Sequence, residues 1–437
     1  MLNPAVATSP VAPRDKSKLP RAGEGRAALP FPDPWVLIPA GLLLLLGLLM
    51  VTSASMPIAD ARMGQPFYFL IRQGAFALVG LLAAGLVFQI PMTHWRRAGP
   101  LLLLGAFALL VLVLIPGIGK EVNGSMRWIA LGPINVQASE LAKLFALIYV
   151  AGYLKRHCED LRTADFRTSA LALFRPMAVL GVLAVLLLLE PDFGSVVVLM
   201  ATALGMVFLA GVNLQQFGTL QVGTFLVMAA LIYSSPYRRE RLLSFLNPWA
   251  DAQASGYQLT QALIAIGRGE LFGVGLGASV QKLFYLPESY TDFLFAVLAE
   301  ELGLVGILSV IVLFVILVWR AFEIGHRAER LGKEFSAYLA YGIGLWFGLQ
   351  SLFNIGVNMG VLPTKGLTLP LISYGGSSLV VMFVVKTVCS LRPLMTKRMR
   401  LIRIFSNCAK GMTRAPMDGS ATATLPSWIP RTTTKWL

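Results

Sequence analysis

Residues 35–56 read Trp35-Val-Leu-Ile-Pro-Ala-Gly-Leu-Leu-Leu-Leu-Leu-Gly-Leu-Leu-Met-Val-Thr-Ser-Ala-Ser-Met56, with no charged side chain in the run. A helix needs about 20 apolar residues to span the hydrocarbon core of a bilayer. This run follows a polar, Pro-rich stretch and is longer than the apolar core of a cleavable signal peptide, so it reads as a first spanning helix. Further apolar segments follow at roughly 67–90, 100–116, 138–154, 177–189, 195–211, 218–234, 292–319, 337–361 and 371–391. The third to fifth segments are shorter than about 20 residues, which leaves their edges and the count open by one. Composition agrees: 56% of the chain is hydrophobic, 14% is charged and the mean hydropathy is +0.70. Soluble domains carry about 25% charged residues. The expectation is an all-α polytopic membrane protein of about ten transmembrane helices, with its membrane domain over 34–393. A disordered N-terminal tail, 1–33, and a basic C-terminal tail, 394–437, flank it.

Charge placement orients the chain. With both termini in the cytoplasm, Arg14, Lys16, Lys18, Arg21, Arg26, Arg96, Arg97, Lys155, Arg156, Arg162, Arg167 and Arg175 fall inside. So do Arg320, Arg327, Arg330, Lys333 and the basic residues after Arg392, as the positive-inside rule requires. Only the large outer loop between the seventh and eighth helices, 235–290, breaks the trend. The net charge of +15 is therefore an orientation signal, and no nucleic-acid partner is expected. Cys158, Cys389 and Cys408 suggest no disulfide framework, and His94, His157 and His326 are too scattered to suggest a metal site.

The polar motifs gather in the outward loops and helix ends. Asp292 sits in Glu288-Ser-Tyr-Thr-Asp-Phe at the start of a membrane helix, where a carboxylate is costly enough to be a functional-site hypothesis. Helix N-terminal charge complementarity is the plainer reading. Glu140 and Lys143 are three apart and share a helix face, either as a packing ion pair or as a pair facing a charged head group. Arg127 in the preceding loop adds a cation. Asp192, in Glu190-Pro-Asp192-Phe-Gly, reads as a helix cap or as a polar group at a cavity mouth. Glu300, about two turns below Asp292, is expected to pair inside the bundle, with Lys386 as a candidate partner. The glycines at 273, 275 and 277 lack the strand-and-helix context of a nucleotide loop and read as tightly turned or re-entrant backbone. The stretch from Pro363 to Ser378 is too rich in Gly, Pro and hydroxyls for a plain helix. Lys365, Ser373, Tyr374, Gly375, Gly376 and Ser377 there suit diphosphate or sugar contacts, unless the stretch only packs.

Several strings, taken in order, resemble the SEDS proteins (shape, elongation, division and sporulation; the FtsW/RodA/SpoVE family), and the division branch more than the elongation branch. They include Asn123-Gly-Ser-Met-Arg-Trp-Ile, Ser139-Glu-Leu-Ala-Lys, Glu190-Pro-Asp-Phe-Gly, Gly256-Tyr-Gln-Leu-Thr-Gln-Ala-Leu and Thr291-Asp-Phe. Glu300-Glu-Leu-Gly, the long run from Asn354 to Pro370 and Ser373-Tyr-Gly-Gly-Ser-Ser complete the set. The likeness covers about 35–393. Ala138 departs from it, since the family usually has proline before Ser-Glu.

The resemblance implies a ten-helix fold and a peptidoglycan glycosyltransferase that polymerises lipid II at the outer face of the bacterial inner membrane, at the division septum. It implies a single-pass class B penicillin-binding protein (an FtsI-like transpeptidase) as partner, with divisome regulators of the FtsQ, FtsL, FtsB and FtsN kinds. Asp292 matches the position regarded as the catalytic carboxylate. In that chemistry Asp292 takes the acceptor hydroxyl proton, while Arg127, Lys143 and Lys365 are candidates to steady the departing diphosphate. Glu140 either holds Lys143 or ligates a divalent cation, Mg or Mn, whose involvement is left open. The rival readings are a lipid II flippase, which needs a polar path through the whole bilayer, and a division scaffold without activity.

Overall fold

Every one of the ten apolar segments forms a helix. The computed structural model describes residues 33–390 except 123, 124, 133, 164, 254, 255 and 365. The side chains of 122, 131, 134, 237 and 386–390 also lie outside the described part, as do both expected tails up to residue 32 and beyond 390. The helices that these segments form are α1 (Pro34–Met63), α2 (Tyr68–Gln89), α3 (Met92–Leu114), α4 (Ala138–Arg162), α5 (Phe166–Leu189), α6 (Phe193–Leu209) and α7 (Leu214–Tyr233). They continue with α10 (Leu294–Arg330), α11 (Glu334–Asn358) and α12 (Gly376–Ser390). Six of them, α1, α2, α3, α5, α7 and α10, are each long and apolar enough to cross a membrane. Leu82, Leu86, Leu101, Phe225 and Val315 stand exposed on their outward faces, an apolar girdle that lipid solvates and water would not.

Three elements were not anticipated as such. The loop after α3 folds into a small antiparallel sheet, β1 (Gly119–Val122), β2 (Ser125–Leu131) and β3 (Ile134–Gln137), in the order β1-β2-β3. Trp128 pairs with Gln137 and Ile129 with Val136, so β3 runs straight into α4. The 235–290 loop contains two helices, α8 (Pro236–Leu246) and α9 (Tyr257–Arg268), of which α9 packs on α10.

α1 begins where sequence chemistry says it should. Asp33 caps it by accepting from the Trp35 N–H, Pro34 occupies the first turn, and Gly64 closes it in the left-handed conformation at φ 63°. α1 and α10 run antiparallel and are pinned at two levels. Arg320 donates to Asp33 from Nε (2.9 Å) and Nη2 (2.6 Å), and Ser53 donates to Glu301 at 2.7 Å. Those levels are about 30 Å apart at 1.5 Å per residue, close to the depth of the hydrocarbon core.

α10 is broken at Gly303, whose φ of 65° and ψ of −161° belong to no helix. A continuous helix would bond the Leu304 N–H to the Glu300 carbonyl and the Val305 N–H to the Glu301 carbonyl. Instead the segment after α9 is spliced into the gap. Leu304 and Val305 donate to the carbonyls of Glu270 (3.0 Å) and Leu271 (3.2 Å). The freed carbonyls of Glu300 and Glu301 accept from Val274 (3.0 Å) and Gly275 (3.2 Å). All four backbone groups are satisfied within the protein, which is the condition for an irregular backbone at membrane depth. The glycines at 273, 275 and 277, with φ between 80° and 102°, supply this turn.

The side chains at the break are fully buried acids with assigned partners. Glu300 accepts from Ser279 Oγ and from the N–H groups of Val280 (3.1 Å) and Gln281 (3.4 Å), with Arg268 3.6 Å away. Its charged neighbour is thus Arg268, where the sequence offered Lys386, whose side chain lies outside the described residues. Glu301 pairs with Lys282 at 2.8 Å, and Lys282 also reaches Ser53 at 2.9 Å. Removing one member of a buried ion pair strands the other charge, at a cost of about 3–5 kcal/mol. Lys282→Ala should therefore lower the unfolding temperature of the detergent-solubilised protein well below that of the parent. An unchanged transition would show that Glu301 does not depend on this lysine.

Candidate active site

Asp292 immediately precedes α10, at the end of the bundle where the small sheet, the α5–α6 turn and the segment between α11 and α12 also converge. Its main chain is tightly held. The Asp292 carbonyl accepts from Asn354 Nδ2 at 2.9 Å and from Asn358 Nδ2 at 3.1 Å. Its carboxylate is free by contrast: among the described residues none donates a hydrogen bond to it. A Cβ added to Gly366 would lie 3.1 Å from Asp292 Oδ2, so the carboxylate stands close against the 366 backbone, where any side chain would press on it.

Four charged groups surround it electrostatically. Loss of water contact, and then Glu288, push the Asp292 carboxyl up, to about 7 in all. The guanidinium groups of Arg127 and Arg241 pull the other way, and Asp192 adds a smaller upward push. Arg127 is placed by β2. From there it donates to the carbonyls of Glu190 (3.1 Å) and Pro191 (2.6 Å), clasping the α5–α6 turn. Arg241, from α8, reaches the Thr364 carbonyl at 3.4 Å. Within that turn Asp192 caps α6, accepting from the Ser195 N–H (3.2 Å) and Oγ (2.7 Å). Glu190 is fully buried with neither carboxyl oxygen hydrogen-bonded among the described residues. Burial, then Asp192, push it to about 8 against the pull of Arg127, so it is mostly neutral at pH 7.

The expected Glu140–Lys143 pair forms, at 2.9 Å, in the first turn of α4. Lys143 is 1% exposed, bonds Gln350 Oε1 at 3.2 Å and lies 5.0 Å from the centroid of Trp346. It is thus committed to the interior, and among the described residues the cations that act on Asp292 are Arg127 and Arg241. Of the hydroxyls and glycines after Pro363, most also bond inward. Ser373 Oγ accepts from the Leu369 N–H (3.0 Å), and the Ser373 carbonyl accepts from Gln73 (3.2 Å). The Tyr374 N–H donates to the Tyr290 carbonyl (3.0 Å), and the Gly375 N–H to Gln73 Oε1 (3.4 Å). Gly376 packs against Phe76, and Ser377 Oγ accepts from the Gln137 N–H at 3.2 Å. These groups hold the segment to α2 and β3. Lys365 lies outside the described residues. Tyr374, Tyr290 and Phe69 form an aromatic triangle, with centroids 4.8–5.8 Å apart, beside the site.

Four residues that bear on the site were assigned no role from the sequence: Arg241, Gln350, Asn354 and Asn358. The last three lie at i, i+4 and i+8 on α11 and form one buried polar stripe. Gln350 ties Lys143 to the Thr368 carbonyl (3.0 Å), and the two asparagines tie down Asp292. Amides at that spacing in an otherwise apolar helix were the available signal. Among the described residues, no group of three or more His, Cys, Asp or Glu side chains is arranged to hold a metal ion.

The chain is also similar to known proteins. The family FTSW_RODA_SPOVE, described as cell cycle protein, matches residues 34–391. A protein of Nitrosococcus halophilus called probable peptidoglycan glycosyltransferase FtsW is 60% identical over 352 residues, covering 80% of this chain and 89% of its own. One of the same designation from Legionella pneumophila is 53% identical over 349 residues, covering 80% and 87%. Among solved structures, one described as structural coordination of polymerization and crosslinking by a peptidoglycan synthase complex is similar at 29% identity. Its TM-score is 0.66, and 82% of this chain and 97% of that one are covered. The rod shape determining protein RodA of Thermus thermophilus matches at 28% identity and TM-score 0.60, covering 82% and 95%.

Proposed function

We infer the chemistry from one premise: the chain belongs to the FtsW, RodA and SpoVE family of cell cycle proteins. It is a multi-pass membrane peptidoglycan glycosyltransferase that joins lipid II units into glycan strands at the outer face of the inner membrane, during septal wall synthesis. The single observation that carries this reading is the Asp292 carboxylate. It sits unbonded among the described residues, ahead of a membrane helix, with Arg127 and Arg241 as its cationic neighbours.

The acceptor sugar's 4-hydroxyl attacks the anomeric carbon of the donor. A new C–O bond forms, the hydroxyl proton passes to Asp292, and the bond to undecaprenyl diphosphate breaks with its electron pair leaving on the diphosphate. A positioned base contributes roughly 10²–10⁴-fold to such a step. Arg127 and Arg241 offset the growing negative charge on the leaving group. Direct displacement inverts the anomeric centre. The lipid chain stays among the exposed apolar helix faces while the reacting ends meet at the loop layer. A class B penicillin-binding protein is the partner that cross-links the product, and the peptidoglycan synthase complex among the similar structures supports that pairing.

The test is labelled lipid II incubated with the full chain and its transpeptidase partner. Polymer supports the enzyme, translocation alone would make the protein a flippase, and neither would leave a scaffold.

The reaction should also depend on pH in a set direction. The base works ionised, and the Asp292 carboxyl is held up to about 7. The rate should therefore fall as pH drops through about 7, with the slope of one proton. A rate that stays flat down to the ordinary carboxylate range would show that Asp292 does not titrate as the base.

A further inference from the structure

Asn354 and Asn358 stand one turn apart on α11, 2% and 0% exposed, and both aim their Nδ2 groups at one atom, the Asp292 carbonyl oxygen. Each makes a second connection. Asn354 also donates to the Leu367 carbonyl at 2.5 Å, and Asn358 accepts at Oδ1 from the Ala296 N–H at 3.2 Å. Two amides therefore tie together the residue that bears the carboxylate, the first turn of α10 and the backbone adjoining Gly366. On the far side of the carboxylate, Gly366 leaves only the space in which an added Cβ would stand 3.1 Å from Oδ2. Asn354 bonds to both sides of that gap, at Asp292 and at Leu367, and so sets its width. Amides buried this deeply are costly unless their bonds are made, which makes the arrangement rigid.

We propose that Asn354 and Asn358 are positioning residues for glycosyl transfer, which fix where Asp292 presents its carboxylate against the Gly366 backbone. The proposal rests on the reading of Asp292 as the base. A merely architectural pair would hold α10 to α11 through the Ala296 N–H alone, and nothing would require both amides to converge on residue 292. Because reacting groups tolerate little displacement, a shift of about 1 Å can cost roughly 10²-fold in rate.

The experiment uses the full chain with its transpeptidase partner, and measures lipid II turnover against concentration and pH for Asn354→Leu, Asn358→Leu, Gly366→Ala and Asp292→Ala. Leucine keeps the branched outline of the asparagine side chain, though it is bulkier, and removes both the amide donor and the acceptor. We expect kcat to fall by about 10²-fold in the leucine variants, with KM for lipid II unchanged and the acid limb of the pH profile displaced as the carboxylate leaves its place among its charged neighbours. Gly366→Ala keeps both amides and crowds Oδ2 directly. It should lower kcat without lowering the unfolding temperature, and it serves as the decisive variant if the leucine proteins fail to accumulate. Unchanged kcat in Gly366→Ala, or in both leucine variants, overturns the proposal. So does a loss that merely follows the loss of folded protein while the pH profile stays in place. Polymer formed normally by Asp292→Ala removes the base assignment and the positioning role together; an inactive Asp292→Ala beside fully active leucine variants removes the positioning role alone.

Discussion

Asp292→Asn should abolish glycan polymerisation while the protein still inserts, folds and binds its partner. The substitution keeps the shape of the side chain and leaves the Asp292 carbonyl, with its two asparagine donors, untouched. No hydrogen bond to the carboxylate from a described residue is lost. What disappears is the capacity to take a proton, which is worth roughly 10²–10⁴-fold for a positioned general base. Stability should move the other way. The folded-state value of this carboxyl is raised to about 7, so ionising it costs folding free energy as pH rises from the ordinary carboxylate range to that value. The amide, like the protonated acid, escapes both burial of charge and repulsion from Glu288 and Asp192. The expected protein is thus inactive and, at pH 7.5 or above, at least as resistant to heat as the parent. Initial rates of lipid II polymerisation and thermal unfolding in detergent, measured on one preparation, check both halves. A variant that still polymerises at near-parental rate would remove Asp292 from the chemistry.

The second large effect is structural. Gly303→Val should leave little folded protein in the membrane. The backbone at φ 65° and ψ −161° lies in a region that is essentially restricted to glycine, and holding another residue there costs about 1–3 kcal/mol before any contact is considered. The contacts then add to it: even a bare Cβ at 303 would stand 2.4 Å from the Gly273 nitrogen and 2.7 Å from the Gly269 carbonyl oxygen. Both atoms belong to backbone spliced into the helix break, so neither can turn aside as a side chain would. Forcing them apart exposes the backbone groups of Glu300, Glu301, Leu304 and Val305 at membrane depth, where water does not replace the lost bonds. Yield of correctly folded protein by size exclusion, with Leu304→Val as a control on an exposed neighbour, measures the effect. Parental yield for Gly303→Val would mean that α10 can run unbroken.

Asp292 and the α11 asparagines show how much of the site could be read in advance. Asp292 stood out because a carboxylate beside an apolar run is costly, and Glu140 with Lys143 stood out because three residues bring two side chains onto one helix face. Both inferences use only local spacing. The spacing of Asn354 and Asn358 signals only a shared helix face, since the partners of Asn354, Asp292 and Leu367, are 62 and 13 residues away in sequence. Arg241 and the pairing of Glu300 with Arg268 were hidden for the same reason. After Pro363 the residue chemistry suits a sugar or a phosphate, and the folded chain adds inward bonds that local order does not show: Ser373 Oγ accepts from the Leu369 N–H, Ser377 Oγ from the Gln137 N–H, and Gln73 bonds the main chain at Ser373 and Gly375.

The sequence by itself determined that the chain is a bundle of membrane helices, where those helices lie and which carboxylate to suspect. Hydrophobic burial and helical periodicity act over a few tens of residues, and both are written in local order. Only the tertiary structure decided that α10 is broken and mended by the segment after α9, that Arg127 and Arg241 are the cations near Asp292 among the described residues, and that two amides bond its carbonyl. Those outcomes depend on which distant groups meet in space, because hydrogen bonds and ion pairs act over a few ångströms and are blind to separation along the chain.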